Sequence, residues 1–141
     1  MRYFAYGSNM DLAQMADRCP GARVLDGATL PGVRFILTSR GYGSIVPDAG
    51  SAVFGVLWDI TAEDAASLDI YEGVPRGLYR RSQVALTTTG GKTTDALAYL
   101  AAHTDHGVPV AGYLEAIVAA ARRHAFPADY IAQLETWLPP G

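Results

Sequence analysis

The chain has 141 residues, half of them hydrophobic and only 18% charged, which suits one globular domain spanning 1–141 and excludes a disordered or coiled-coil chain. A formal charge of −3 argues against a binder of nucleic-acid backbones. No apolar run approaches the roughly 20 residues of a membrane span, and Met1–Tyr6 lacks the apolar stretch of a signal peptide, so a cytoplasmic protein with neither a nucleic-acid nor a membrane partner is expected. Cys19 is the only cysteine and Lys92 the only lysine, which excludes an internal disulfide, a cysteine metal cluster and most lysine-based chemistry.

Tyr3–Tyr6 is a short apolar and aromatic run that predicts a strand, and Gly7-Ser8-Asn9 then offers caps for a helix over Leu12–Arg18. Cys19-Pro20-Gly21 stops that helix. Val24-Leu25 and Val33–Thr38 predict two strands separated by Pro31-Gly32, and Gly41-Tyr42-Gly43 predicts a turn. Ala52–Ile60 is apolar at nearly every position, as in a central strand covered on both faces. Thr61 followed three residues later by Asp64 is close to a capping box, and the helix it opens runs to Gly73, placing Glu72 at its C-terminus.

Tyr79–Thr88 and Thr93–Leu100 flank Thr89-Gly90-Gly91-Lys92 and predict an antiparallel hairpin. From Val110 the residues Val110, Tyr113, Leu114, Ile117, Val118 and Ala121 recur at helical spacing. Phe126-Pro127 breaks this helix, and Pro127 is placed to be the first residue of a last helix that turns Ile131, Leu134 and Leu138 inward; Pro139-Pro140-Gly141 is expected to fray. Antiparallel strands first and helices grouped late indicate an α+β fold.

Familiar catalytic signatures are sparse. Gly41-Tyr42-Gly43 is half of a dinucleotide fingerprint without its third glycine, and there is no Gly-x-Ser-x-Gly elbow. His103 and His106 have a spacing that a metal could use, but they stand in a loop-like segment with no third ligand nearby, so no metal site is assigned. His124, beside Arg122 and Arg123 at a helix end, is read as interacting with the helix dipole.

Two segments carry more chemistry. At Tyr6-Gly7-Ser8-Asn9 a strand passes through a glycine turn towards a helix, either as a plain cap or as a place where backbone N–H groups converge on an anion or a carbonyl oxygen. In Asp69-Ile70-Tyr71-Glu72-Gly73-Val74-Pro75 a carboxylate falls at the negative end of a helix among apolar neighbours. Glu72 is then either an exposed helix-end residue or a general base with a raised pKa.

Together these segments resemble the γ-glutamylcyclotransferase family. Tyr3-Phe4-Ala5-Tyr6-Gly7-Ser8-Asn9-Met10 looks like its substrate loop, Gly55-Val56-Leu57-Trp58 like its central strand, and Leu68-Asp69-Ile70-Tyr71-Glu72-Gly73-Val74 like its catalytic segment. Gly77-Leu78-Tyr79 and Tyr113-Leu114-Glu115 extend the resemblance over nearly the whole chain, and Tyr6-Gly7-Ser8-Asn9 is closer to the branch acting on γ-glutamyl amino acids than to that acting on γ-glutamyl-lysine amines.

The resemblance implies a small, mainly antiparallel but mixed barrel-like sheet with flanking helices, in a monomer or homodimer. It also implies cyclisation of a γ-glutamyl substrate to 5-oxoproline without metal or cofactor. Glu72 would be the general base and acid, with Tyr6, Gly7, Ser8, Asn9, Tyr79 and Tyr113 binding substrate. The compact stretch from Arg40 to Gly50 would form the outer wall of the pocket, leaving the identity of the released amine open. The alternatives are a metabolite-binding module of the same fold, and an enzyme that removes a γ-glutamyl protecting group from a biosynthetic amine.

Overall fold

Five strands close into a barrel in the computed structural model, which describes residues 1–138, so the tail at Pro139-Pro140-Gly141 lies outside the described residues. The strands are β1 (Arg2–Ala5), β2 (Arg23–Leu37), β3 (Gly43–Asp59), β4 (Tyr79–Thr88) and β5 (Thr93–Ala101), in the order β1-β3-β2-β4-β5. All neighbours are antiparallel except β1 and β5, which meet in parallel at Tyr3 and Leu97 and make the sheet mixed. The helices are α1 (Leu12–Arg18), α2 (Ala62–Tyr71), α3 (Tyr113–Arg123) and α4 (Ala128–Glu135). The expected α+β, barrel-like fold is therefore present. None of the described helices is long and apolar enough to cross a membrane.

The predicted pair of strands at Val24-Leu25 and Val33–Thr38 is one bent strand, β2, running antiparallel to β3 from Arg23 opposite Asp59 to Leu37 opposite Gly43. Pro31-Gly32 does not break it. Gly32 takes a left-handed φ of 79° and the register shifts there, Pro31 lying opposite Ala52 and Val33 opposite Pro47, so the extra residues belong to β3, and β2 runs through the irregularity without ending. β3 likewise begins at Gly43, nine residues before the expected start at Ala52. Its second half meets the expectation of cover on both faces: Val53, Val56, Leu57 and Trp58 are all buried, and Phe54 packs on Phe126 and Tyr130.

Local chemistry sets the helix ends. The side chain of Thr61 accepts the Asp64 N–H and the Asp64 carboxylate accepts the Thr61 N–H, forming the capping box that starts α2. α1 is capped by Asp11, whose carboxylate accepts the Gln14 N–H at 3.0 Å; Gly7-Ser8-Asn9 does not cap it. Ser8–Met10 instead forms a turn of 3-10 helix, using residues that the sequence offers as caps. α3 begins at Tyr113, not Val110, because Gly112 has a φ of 80° and the Val110 N–H goes to the Gly41 carbonyl. Pro127 caps α4 from just outside the helix, and Leu138 lies beyond its end, yet Ile131, Leu134 and Leu138 all pack against the core as expected.

β1 approaches β3 so closely that a Cβ built on Gly55 would lie 2.4 Å from the Ala5 carbonyl oxygen and 2.6 Å from the Phe4 ring. A methyl group there has to push β1 away from its neighbour. Gly55→Ala is expected to lower stability by about 2–3 kcal/mol, the upper range for overpacking a core. Urea unfolding of the variant measures this, and a loss under about 0.5 kcal/mol would mean that β1 yields without cost.

Candidate active site

One end of the barrel opens into a cavity of about 260 Å³ where the C-terminal ends of β1 and β5 meet the beginning of β4. All seven residues singled out from the sequence line it: Tyr6, Gly7, Ser8, Asn9, Glu72, Tyr79 and Tyr113. They arrive from both ends of the chain, with β1 supplying the first four through the turn that follows it.

That turn is held from behind. Asn9 is buried; its Nδ2 donates to the Tyr3 hydroxyl at 2.9 Å, while its Oδ1 accepts from Gln14 Nε2 and Arg18 Nη1, each at 3.0 Å. The Asn9 side chain is thus fully engaged within the protein. The backbone differs: the Gly7 and Ser8 carbonyls accept from Met10 and Asp11, but no hydrogen bond among the described residues takes the N–H groups of Gly7, Ser8 or Asn9. Three adjacent donors are left for another acceptor.

Glu72 sits at the end of α2, its N–H still bonded to the Leu68 carbonyl at 2.8 Å. Gly73 then takes the left-handed conformation, with a φ of 68°, which ends the helix and leads into a 3-10 turn over Val74–Arg76. No hydrogen bond or ion pair among the described residues takes the Glu72 carboxylate. Desolvation pushes its pKa from 4.5 up to about 7, with the Arg18 guanidinium pulling the other way.

Asp69, one helical turn earlier, is the opposite case. Burial raises its pKa, but Arg81 grips it through Nε and Nη2 at 2.8 and 2.9 Å and the Tyr99 hydroxyl donates to it at 2.6 Å, which together bring it below the usual range. One carboxylate is tied down and the other is left available.

Both tyrosine hydroxyls predicted to bind substrate meet the peptide chain at Gly43. Tyr79 donates to the Gly43 carbonyl at 2.6 Å, and Tyr113 accepts the Gly43 N–H at 2.8 Å, which leaves the Tyr113 proton free. The same Tyr113 oxygen would lie 3.2 Å from a Cβ on Gly7, so it also reaches the N-terminal turn. The Tyr6 hydroxyl is committed to the Tyr99 carbonyl.

Sequence reasoning missed much of the wall. Arg18, Arg40 and Arg76 line the cavity, as do Tyr3, Tyr42 and Tyr71. Arg18 stacks 4.5 Å over the Tyr71 ring, and Arg40 lies 5.6 Å over Tyr42. The stretch from Arg40 was read as an outer wall, but nothing in its composition singles out the arginine. Three guanidiniums against one carboxylate make the pocket cationic in a chain whose formal charge is −3.

The remaining candidates lie elsewhere. His103 and His106 are exposed, with His106 stacked on Trp137, and no group of three or more His, Cys, Asp or Glu comes together among the described residues. His124 lies within 3.2 Å of the Met10 carbonyl and so ties α3 to the N-terminal turn, a role beyond the dipole interaction read from the sequence. Cys19 is buried at the end of α1, and burial raises its thiol pKa to about 11, so it is neutral and unreactive near pH 7.

The model of the AIG2-like family matches residues 52–134 of the chain. Among curated proteins, mouse γ-glutamylcyclotransferase is 28% identical over 143 residues, covering 94% of this chain and 76% of the mouse protein. The human protein of the same name is 29% identical with the same coverage. A solved γ-glutamyl cyclotransferase structure superposes with a TM-score of 0.91 at 27% identity, over 99% of this chain and 89% of that one. The resemblance drawn from the sequence motifs thus extends to most of each chain and to the fold.

The unpaired carboxylate has a consequence for stability. Folding raises the pKa of Glu72, so the native chain holds this proton more tightly than the unfolded chain does. The associated stability is present below pH 4.5 and is lost as pH rises to about 7. Glu72→Gln cannot undergo that loss. Urea unfolding should find the variant more stable than the parent by about 2–3 kcal/mol at pH 8 and nearly equal to it at pH 4. A variant no more stable at pH 8 would mean that the carboxylate is well solvated.

Proposed function

The chain belongs to the AIG2-like family, and we propose that it is a γ-glutamylcyclotransferase-type enzyme that cyclises a γ-glutamyl amide to 5-oxoproline and releases the amine or amino acid. The observation that carries this reading is Glu72: a desolvated carboxylate with no internal partner and a pKa near 7, in the same cavity as three unclaimed backbone N–H groups.

The reaction asks little else of the protein. The substrate's α-ammonium gives a proton to Glu72 and becomes a nucleophile, and its nitrogen attacks the γ-carbonyl of the same molecule to close a five-membered ring. As the original C–N bond breaks, Glu72 returns that proton to the departing nitrogen, then takes the second proton from the ring nitrogen and passes it to the released amine, which leaves as an ammonium beside a 5-oxoproline with one N–H. Nucleophile and electrophile share one molecule, so the pocket has only to hold the substrate folded. In this reading the N–H groups of Gly7, Ser8 and Asn9 receive the α-carboxylate or the oxygen that becomes negative during attack. The free Tyr113 proton is available beside them, and Tyr79 fixes the Gly43 wall.

A binding module of the same fold needs no titratable carboxylate poised near neutrality, and Glu72 without an internal partner weakens the chain above that pH. Its retention favours the enzyme over the binder. The same cavity would serve an enzyme that removes a γ-glutamyl group from a biosynthetic amine, which is the same reaction with a different leaving group.

Glu72→Gln is expected to reduce kcat for 5-oxoproline release by about a hundredfold or more while the protein remains folded, the scale of a lost general base. In the parent, kcat/KM should climb on the acid side and level off above about pH 7, following ionisation of Glu72. Initial rates across pH, read by 5-oxoproline formation, check both. A variant with near-parental kcat, or free glutamate as the product, would overturn the assignment.

A further inference from the structure

Five arginines, Arg23, Arg34, Arg81, Arg122 and Arg123, each reach a carboxylate of the protein, and in the cavity Arg40 and Arg76 are exposed. Arg18 fits neither description. It is half-buried in the cavity wall, and no carboxylate among the described residues comes within ion-pair distance of it. Its Nη1 donates to Asn9 Oδ1 at 3.0 Å, behind the turn that offers its N–H groups to the cavity. Its guanidinium lies 4.5 Å over the ring of Tyr71, the residue before Glu72. Its carbonyl, at the end of α1, accepts the hydroxyl of Ser67 from α2 at 3.0 Å. One residue is thus fastened to both segments that build the site.

Its charge also stands apart from the others around Glu72. The hydroxyls of Tyr3 and Tyr6 from β1, Tyr79 from β4, Tyr99 from β5 and Tyr113 from α3 share the cavity, and their pKa values are all raised, so they stay neutral near pH 7. Asp69 is paired with Arg81. Arg40, stacked over Tyr42, and Arg76 are the remaining cations, and solvent screens both because they are exposed. The half-buried guanidinium acts through a lower dielectric, and it pulls Glu72 back towards the ionised form against desolvation.

We infer that Arg18 is a positioning residue that joins the two halves of the site, holding the Gly7–Asn9 turn through Asn9 and stabilising the anion of Glu72 in the same cavity. For its effect on rate the inference rests on the cyclotransferase reading above; its effect on Glu72 stands without it. In that reading Glu72 has to be an anion before it can take the substrate's proton, and the donor turn has to keep a fixed position relative to it. A guanidinium serves both ends at once, because its planar fork donates to the Asn9 oxygen while its face lies on the Tyr71 ring.

The test reads the two ends separately. Carbon-13 NMR of the Glu72 carboxyl carbon follows its titration directly. Arg18→Gln should raise the midpoint by about half a pH unit or more, whereas Arg18→Lys, which keeps the charge, should leave it close to the parent's. Initial rates of 5-oxoproline release from γ-glutamyl-alanine across pH should show the acid limb of kcat/KM moving up by the same amount in Arg18→Gln, with the plateau above it about tenfold lower as the turn loosens. Arg18→Lys should recover part of that plateau. Gln14→Ala removes the other donor to Asn9 Oδ1 without touching a charge, so it should lower the plateau and leave the limb in place. If Arg18→Gln does not fold, Arg18→Met carries the same predictions, since it keeps an apolar stem against Tyr71.

An unmoved Glu72 midpoint in the neutral variant would overturn the inference. So would a midpoint in Arg18→Lys as high as in Arg18→Gln, or a limb that moves equally in Gln14→Ala, because the shift would then come from loosening and not from charge. Either result leaves the cyclotransferase reading intact. If the parent releases no 5-oxoproline, that reading falls, while the carbon-13 titration still decides whether Arg18 holds the anion of Glu72.

Discussion

The barrel closes through β1, a strand of four residues that is paired antiparallel to β3 on one side and parallel to β5 on the other. Its seat exists because Gly55 carries no side chain where the Ala5 carbonyl and the Phe4 ring press against β3. Everything at the open end follows from that placement. β1 ends beneath the cavity, the chain turns through Gly7, and the next polar groups either lock the turn, as Asn9 does, or face outward as unclaimed N–H donors. A turn fixed in this way presents its donors without the cost of ordering them when a ligand arrives.

The site then depends on unequal treatment of two carboxylates separated by one turn of α2. Asp69 receives Arg81 and Tyr99 and is spent on structure. Glu72 receives nothing and has a pKa near 7, the range that the proposed proton transfer would need. The same residue weakens the fold above that pH, the cost of leaving a desolvated carboxylate without a partner.

Much of this was legible in the sequence wherever a local signal had one reading. The Gly90-Gly91 turn announced the β4–β5 hairpin, Thr61 and Asp64 announced the start of α2, and the length of that helix put Glu72 at its end. Local signals failed where two readings competed. Pro31-Gly32 has the composition of a break, but β2 continues through it because β3 pairs with it on both sides and takes up the register shift with its own extra residues. Ser8 and Asn9 are good helix caps by type, yet Asp11 stands one residue before α1 and takes that role, which releases the earlier pair for the 3-10 turn. Arg40 and Arg76 could not be found from sequence at all. An arginine in an exposed turn looks like any solvated surface charge, and only the closing of the barrel brings these two to the same cavity.

The topology also dictates when the pocket can come into being during synthesis. Tyr3 leaves the ribosome well before its pairing partners Trp58 and Leu97, and the turn beyond it is tied down by His124, more than a hundred residues later. Contacts spanning so much of the sequence incur large loop-closure entropy before they return any stability, so β1 stays an apolar, unpaired segment until β3 has been made, and its other edge stays open until β5 follows. For that interval Tyr3-Phe4-Ala5 is an uncovered β-forming stretch of nascent chain, and the open end of the barrel assembles only after β5 and α3 are in place.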